Sequence, residues 1–99
     1  MTGTANQIEW AEQIRVRVGA EFDRVANALQ TAAGNQIERD RLNTRALIQI
    51  LEDKRAEVMA KDQAGYFIVE WQELRDQVRT LMAQDSRYQQ LKARKNQIQ

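Results

Sequence analysis

The sequence has no cysteine, no histidine and no proline, and only four glycines among its 99 residues. Each absence closes off a class of structure or chemistry. Without cysteine there is no disulfide and no thiol nucleophile. Without histidine there is no imidazole acid–base group, and with both missing, zinc sites of the usual kind are excluded. A carboxylate-bridged di-iron bundle needs Glu-x-x-His motifs and is excluded with them. Without proline nothing interrupts a backbone hydrogen-bond ladder, and a chain rich in Ala, Gln, Glu and Arg then favours long helices. No apolar run approaches the roughly 20 residues of a membrane span. The polar opening MTGTANQ also lacks the apolar core of a secretory signal. The expected setting is therefore cytoplasmic, with no membrane partner.

What remains is enough to fold. Hydrophobic residues make up 42% of the chain and the net charge is +1, a balance that favours a packed core over disorder. The length suits a single helical domain over residues 1–99, and no internal repeat or linker divides it.

The stretch Gly65–Met82 holds Tyr66, Phe67 and Trp71, half of the chain's aromatic residues. At about 100° per residue, Phe67, Trp71, Leu74, Val78, Leu81 and Met82 share a stripe roughly 100° wide. Glu73, Asp76 and Arg79 lie off it. Tyr66–Trp71 would also suit a strand, but no second strand-like run exists to pair its backbone groups. The spacing predicts one helix from Gly65 to about Gln84.

Thr4 and Gln7 form a Thr-x-x-Gln capping box. From there Ile8, Trp10, Ala11, Ile14, Val18, Phe22, Val25, Leu29 and Ala32 cover one helical face, and the pattern lasts from Ala5 to about Ala33, roughly 43 Å at 1.5 Å per residue. Gly19 interrupts it, as a tolerated change or as a point of close approach by another backbone. The opening Gly3-Thr4, Gln7, Trp10-Ala11-Glu12 and Ile14-Arg15 resembles the start of a group of small uncharacterised bacterial and phage proteins with a Gly-Thr-x-Lys-Gln-x-x-Trp-Ala-Glu-x-Ile-Arg pattern. Asn6 stands where that pattern has lysine. The resemblance spans about thirteen residues and implies no activity.

Gly34-Asn35 should stop the first helix, with glycine in the left-handed conformation. Asn35 or Asp40 then caps the second, which runs to about Lys61. Its centre, Ala46–Leu51, is apolar around some 200° of the wheel, more than one buried side requires, so it should meet two neighbours. Lys54 should extend outward, and Glu57 with Lys61 has the favourable i, i+4 order. Asp62–Gly65 is the next break, by a cap at Asp62 or a stop at Gly65. Asp85-Ser86 offers a last cap, with Tyr88 and Leu91 inward on Ser86–Gln97. A single helix from Gly65 to Arg94 is the alternative, because Asp85 and Ser86 do not forbid helix. The expected fold is all-α, an antiparallel three-helix bundle with room for a short C-terminal fourth helix.

Glu70, Glu73 and Asp76 are spaced to share a helix face, as cation ligands would be, but charge opposite a buried stripe is ordinarily a solvated face. Arg87, Lys92, Arg94 and Lys95 are positive with no acidic residue after Asp85, and could meet phosphates or simply favour a helix C-terminus. Arg39, Arg41 and Arg45 form a second basic group, interleaved with Glu38 and Asp40. Tyr66, Ile68 and Val69 lie off the apolar stripe of their helix, and Val16 lies off that of the first. With Ile48 in the broad apolar centre of the second helix, Tyr66, Ile68 and Val69 suggest a self-association or partner surface, with plain core packing around the C-terminal segment as the other reading. The reading is of a small protein-interaction (adaptor or accessory) protein that self-associates as a homodimer or binds another protein. A nucleic-acid-associated regulatory protein, using Arg87, Lys92, Arg94 and Lys95, is the alternative. No cofactor, metal site or enzymatic activity is expected.

Overall fold

In a computed structural model, which describes the backbone of residues 1–98 and the side chains of residues 1–94, the chain is all-α. Its helices are α1 (Ala5–Gly34), α2 (Glu38–Met59), α3 (Ala64–Glu70), α4 (Leu74–Gln84) and α5 (Ser86–Ile98). No helix among the described residues is long and apolar enough to cross a membrane. The molecule measures 52 × 23 × 19 Å, its long axis set by α1, since 30 helical residues span about 45 Å.

α1 begins as the capping box requires. The Thr4 hydroxyl accepts from the Gln7 amide at 3.2 Å, and the Gln7 side chain accepts from the Thr4 amide at 3.0 Å. Just before it the chain is pinned: the Thr2 amide donates to the Asp62 carbonyl at 2.8 Å and the Ala64 amide to the Thr2 carbonyl at 2.9 Å. Gly3 makes that approach with φ +140°, and a Cβ there would stand 3.1 Å from the Ala64 methyl, so only glycine fits. Gly34 does not adopt the left-handed conformation expected of it. Side chains satisfy the last carbonyls of α1 instead: Asn35 donates to Thr31 at 3.2 Å and Arg41 to Ala33 at 3.0 Å. Neither Asn35 nor Asp40 caps α2. Ile37 holds the cap position without a side-chain bond, while Glu38 and Asp40 in the first turn complement the helix dipole.

α1 and α2 form an antiparallel hairpin. Arg15 meets the Met59 carbonyl, Arg55 pairs with Asp23, and Arg41 meets Ala33, so contacts advance along α1 as they retreat along α2. At Gly19 the approach is by a side chain, not a backbone: a Cβ would sit 3.2 Å from the Met59 Cε.

The long third helix predicted from Gly65 to Gln84 is instead two, with a break over Trp71–Glu73 that no glycine or proline marks. Trp71 leaves helical geometry at φ −113°, ψ 38°, and buries its indole against Phe22, centroids 5.9 Å apart. Burial of the largest side chain against a distant residue outweighs the local preference to continue. The break also lets the two pieces point differently: α3 packs on α1, while α4 packs on both α1 and α2. A second break at Asp85 (φ −75°, ψ 132°) turns the chain into α5, which lies along α2 and α4. This last helix matches the shorter of the two sequence alternatives. The apolar centre of α2 does meet several neighbours, α1 on one side and α4 and α5 on another.

One core runs through the molecule: Ala11, Val18, Phe22 and Ala26 of α1, Ile50, Leu51 and Val58 of α2, then Ala64, Phe67, Trp71, Val78 and Met82. The Arg55 guanidinium roofs it, 5.8 Å over the Phe22 ring. Trp10, expected on the buried face, is 56% exposed, because its position falls at the edge of the α1 stripe, turned from α2 and α3.

Candidate functional site

The three helices that follow the hairpin do not cover it evenly. α3 and α4 close the half bearing Val18, Phe22 and Val58. Among the described residues, the half near the α1–α2 turn is covered by α5, which sits on α2 and leaves a cleft on each flank. The larger, about 660 Å³, separates α5 from α1; Leu29, Leu47, Tyr88 and Leu91 supply its apolar wall, and Asp40 and Lys92 stand at its rim. The smaller, about 270 Å³, lies between Ala46, Gln49 and Ile50 of α2 and Gln90, Leu91 and Arg94 of α5. Beneath the larger cleft the buried Thr44 hydroxyl donates to the Gln36 side chain at 2.6 Å, so this buried polar group is satisfied. Beyond the cleft, Ile37 and Leu42 at the turn are 64% and 57% exposed.

An ionic cluster fixes the root of α5. The Asp85 carboxylate accepts from the Arg87 backbone amide at 2.9 Å, capping the helix, and from the Arg87 guanidinium at 3.0 Å. Arg87 also donates to Asp53 of α2 at 2.8 Å, and Gln49 holds the other Asp53 oxygen at 2.9 Å. Lys54, expected to reach outward, turns back to Asp85 at 3.2 Å, a pair of opposite charges that are both largely shielded from solvent. The hydrogen bonds from Arg87 hold both the Asp85 and the Asp53 carboxyl below the usual carboxylate range, and the same bonds raise the already basic Arg87. Elsewhere, the Arg24 hydrogen bond lowers the pKa of the buried Glu21.

The residues singled out in the sequence fall in different places. Tyr66 and Ile68 are half-buried and pack against the core, since the break at Trp71 reorients their helix. Tyr66 stacks edge-on against Phe67 and takes the Lys61 ammonium over its ring at 5.3 Å, so Lys61 faces an aromatic face where an ion pair with Glu57 was expected. Val69 is 65% exposed and Ile48 half-buried. Of the basic group, Arg87 is committed to Asp85 and Asp53, Lys92 and Arg94 are exposed, and the Lys95 side chain lies outside the described residues. The helix break separates Glu70 from Glu73 and Asp76, so the three no longer repeat along one helix face. The exposed Trp10, Ile37 and Leu42 were not singled out as surface groups; Trp10 stands at the edge of the α1 stripe, Ile37 at the cap position before α2, and Leu42 on the side of α2 opposite its buried residues.

The residues of the N-terminal pattern have structural work: Gly3 closes on Ala64, Thr4 and Gln7 cap, Ala11 is fully buried, and Arg15 donates to the Met59 carbonyl at 2.7 Å. Comparison of the chain with protein-family models, with curated proteins and with solved structures finds no match.

Proposed function

We propose that this is a small helical interaction protein that works by self-association, with the turn half of the hairpin as its contact surface. One observation carries the reading: the layer that closes the hairpin end bearing Val18, Phe22 and Val58 gives way toward the α1–α2 turn to one helix, α5, beside an apolar-walled cleft of about 660 Å³. Concave apolar surface with a few polar groups at its edge suits a protein partner. The rim carries both signs, Asp40 and Lys92, which suits a second copy of the same surface better than a uniformly charged polymer. A phosphate track would draw on Lys92 and Arg94 without Arg87, whose guanidinium is already shared by two carboxylates.

Size-exclusion chromatography with light scattering tests this. A dimer at micromolar concentration is expected, and Leu29→Gln in the cleft wall should shift it toward monomer while the helical circular dichroism stays unchanged. A monomer throughout the micromolar range would reject the reading.

A further inference from the structure

We infer that two copies of this chain associate by exchanging α5, each copy's last helix docking on α2 of the other. The inference rests on the self-association reading and gives it a mechanism.

Four features point to it. First, the seat is present: the α2 surface around Ala46, Leu47, Ile50 and Asp53 already accepts α5 through Tyr88, Leu91 and Arg87. A second copy's α5 would make the same contacts, which is why exchange of an identical element is a low-cost route to a dimer. Second, beyond the ionic cluster at its root, α5 buries little. None of the residues Ser86–Arg94 is buried, only Tyr88 and Leu91 pack against the core, and clefts flank both of its sides. Third, the hinge is a single dihedral. Asp85 has φ −75°, close to the α-helical value of about −63°, and only its ψ of 132° must turn to about −42° to fuse α4 and α5 into one helix from Leu74 to Ile98. No glycine or proline lies in that span to resist it. The fused helix would carry Tyr88 and Leu91 away from their own α2, and a second copy would restore their burial. Fourth, the charges are self-complementary. The Arg87–Asp53 pair joins α5 to α2 and re-forms between copies, whereas the Lys54–Asp85 contact, which sits at the hinge, favours the closed monomer.

Charge swapping tests the exchange itself. Asp53→Arg places two guanidinium groups where α5 docks, and Arg87→Glu places two carboxylates there. In either variant alone the contact between positions 53 and 87 is one of like charges, both in the closed monomer and in an exchanged homodimer. In a reciprocal heterodimer, one cleft regains the native Arg87–Asp53 pair and the other gains its mirror. The expected result is that each variant alone, helical by circular dichroism, dimerises about tenfold more weakly than the equimolar mixture, as two ion pairs gained against two like-charge contacts would give. Native mass spectrometry should show the mixed dimer in excess of both homodimers. Asp85→Ala, which removes the cap and the hinge contact and favours helix, should raise the dimer fraction of the otherwise unaltered chain. A wild-type dimer without mixed-dimer preference would overturn the exchange and leave self-association standing. Monomers in every arm would overturn both.

Discussion

At one end of the hairpin, where α3 crosses α1, the chain is shut. Ala11, Val18, Phe22, Ala64 and Phe67 have no exposed surface, and Trp71 has almost none. At the other end the same two helices carry Leu29 and Leu47, equally apolar, yet both remain half-buried, and Ile37 and Leu42 face water. Composition does not separate the two ends; the covering layer does. Breaking the third segment at Trp71 lets α3 and α4 both contact α1, and it uses up the chain that would otherwise have run on to the turn. The closed half holds the fully buried core, and the open half leaves apolar side chains only half-covered, the surface proposed above to meet a second copy.

The contrast can be broken most sharply by truncating one side chain in each half. Phe22→Ala removes a fully buried ring that meets Trp71 and the Arg55 guanidinium and should cost about 3–5 kcal/mol in urea unfolding. Leu47→Ala, in the half-covered region, should cost about 1–2 kcal/mol, because less surface leaves water there and the cleft can adjust. Equal losses would mean the two halves are packed alike.

Smaller changes sharpen the picture at the closed end. Gly19→Ala should stabilise the chain by about 0.5–1 kcal/mol, read as a higher urea midpoint at unchanged slope, since the helix gains propensity and only the flexible tip of Met59 must move. Destabilisation would show that Met59 is held rigidly against α1.

The smallest effect is in acid, at the open end. Arg87 lowers the pKa of Asp85 and Asp53 in the folded chain, so the unfolded chain binds their protons first as pH falls. Their contribution is complete above the ordinary carboxylate pKa of about 3.9 and is lost as pH drops through the depressed folded values. Wild-type and Arg87→Gln chains should therefore differ in stability at pH 7 by an amount that shrinks in the acid range. A difference that grew in acid would contradict the network.

Much of this was legible locally. The capping box at Thr4 lies within four residues, the period of α1 repeats many times, and the two-sided apolar centre of α2 announces its several neighbours. Tyr88 and Leu91 face inward on the last helix as their spacing indicates. What was not legible depends on partners far along the chain. The Trp71 break is driven by Phe22, and the commitment of Arg87 by Asp53, and neither leaves a mark in the flanking residues. Gly34 looked like a left-handed stop until Arg41 and Asn35 took the carbonyls of α1. The exposed Trp10 carries no local sign either, since a tryptophan at the edge of an apolar stripe is buried or free according to what lies beside it.

The central claim is that the turn half is completed by another copy of the chain. Amide hydrogen exchange followed by mass spectrometry, at a dilute and a concentrated condition, addresses it directly. Exchange should slow with concentration in α5 and in the segment from Leu29 to Leu47, while α3 and the centre of α1 keep their protection. Rates independent of concentration, or slowing confined to α3 around the exposed Val69, would contradict it.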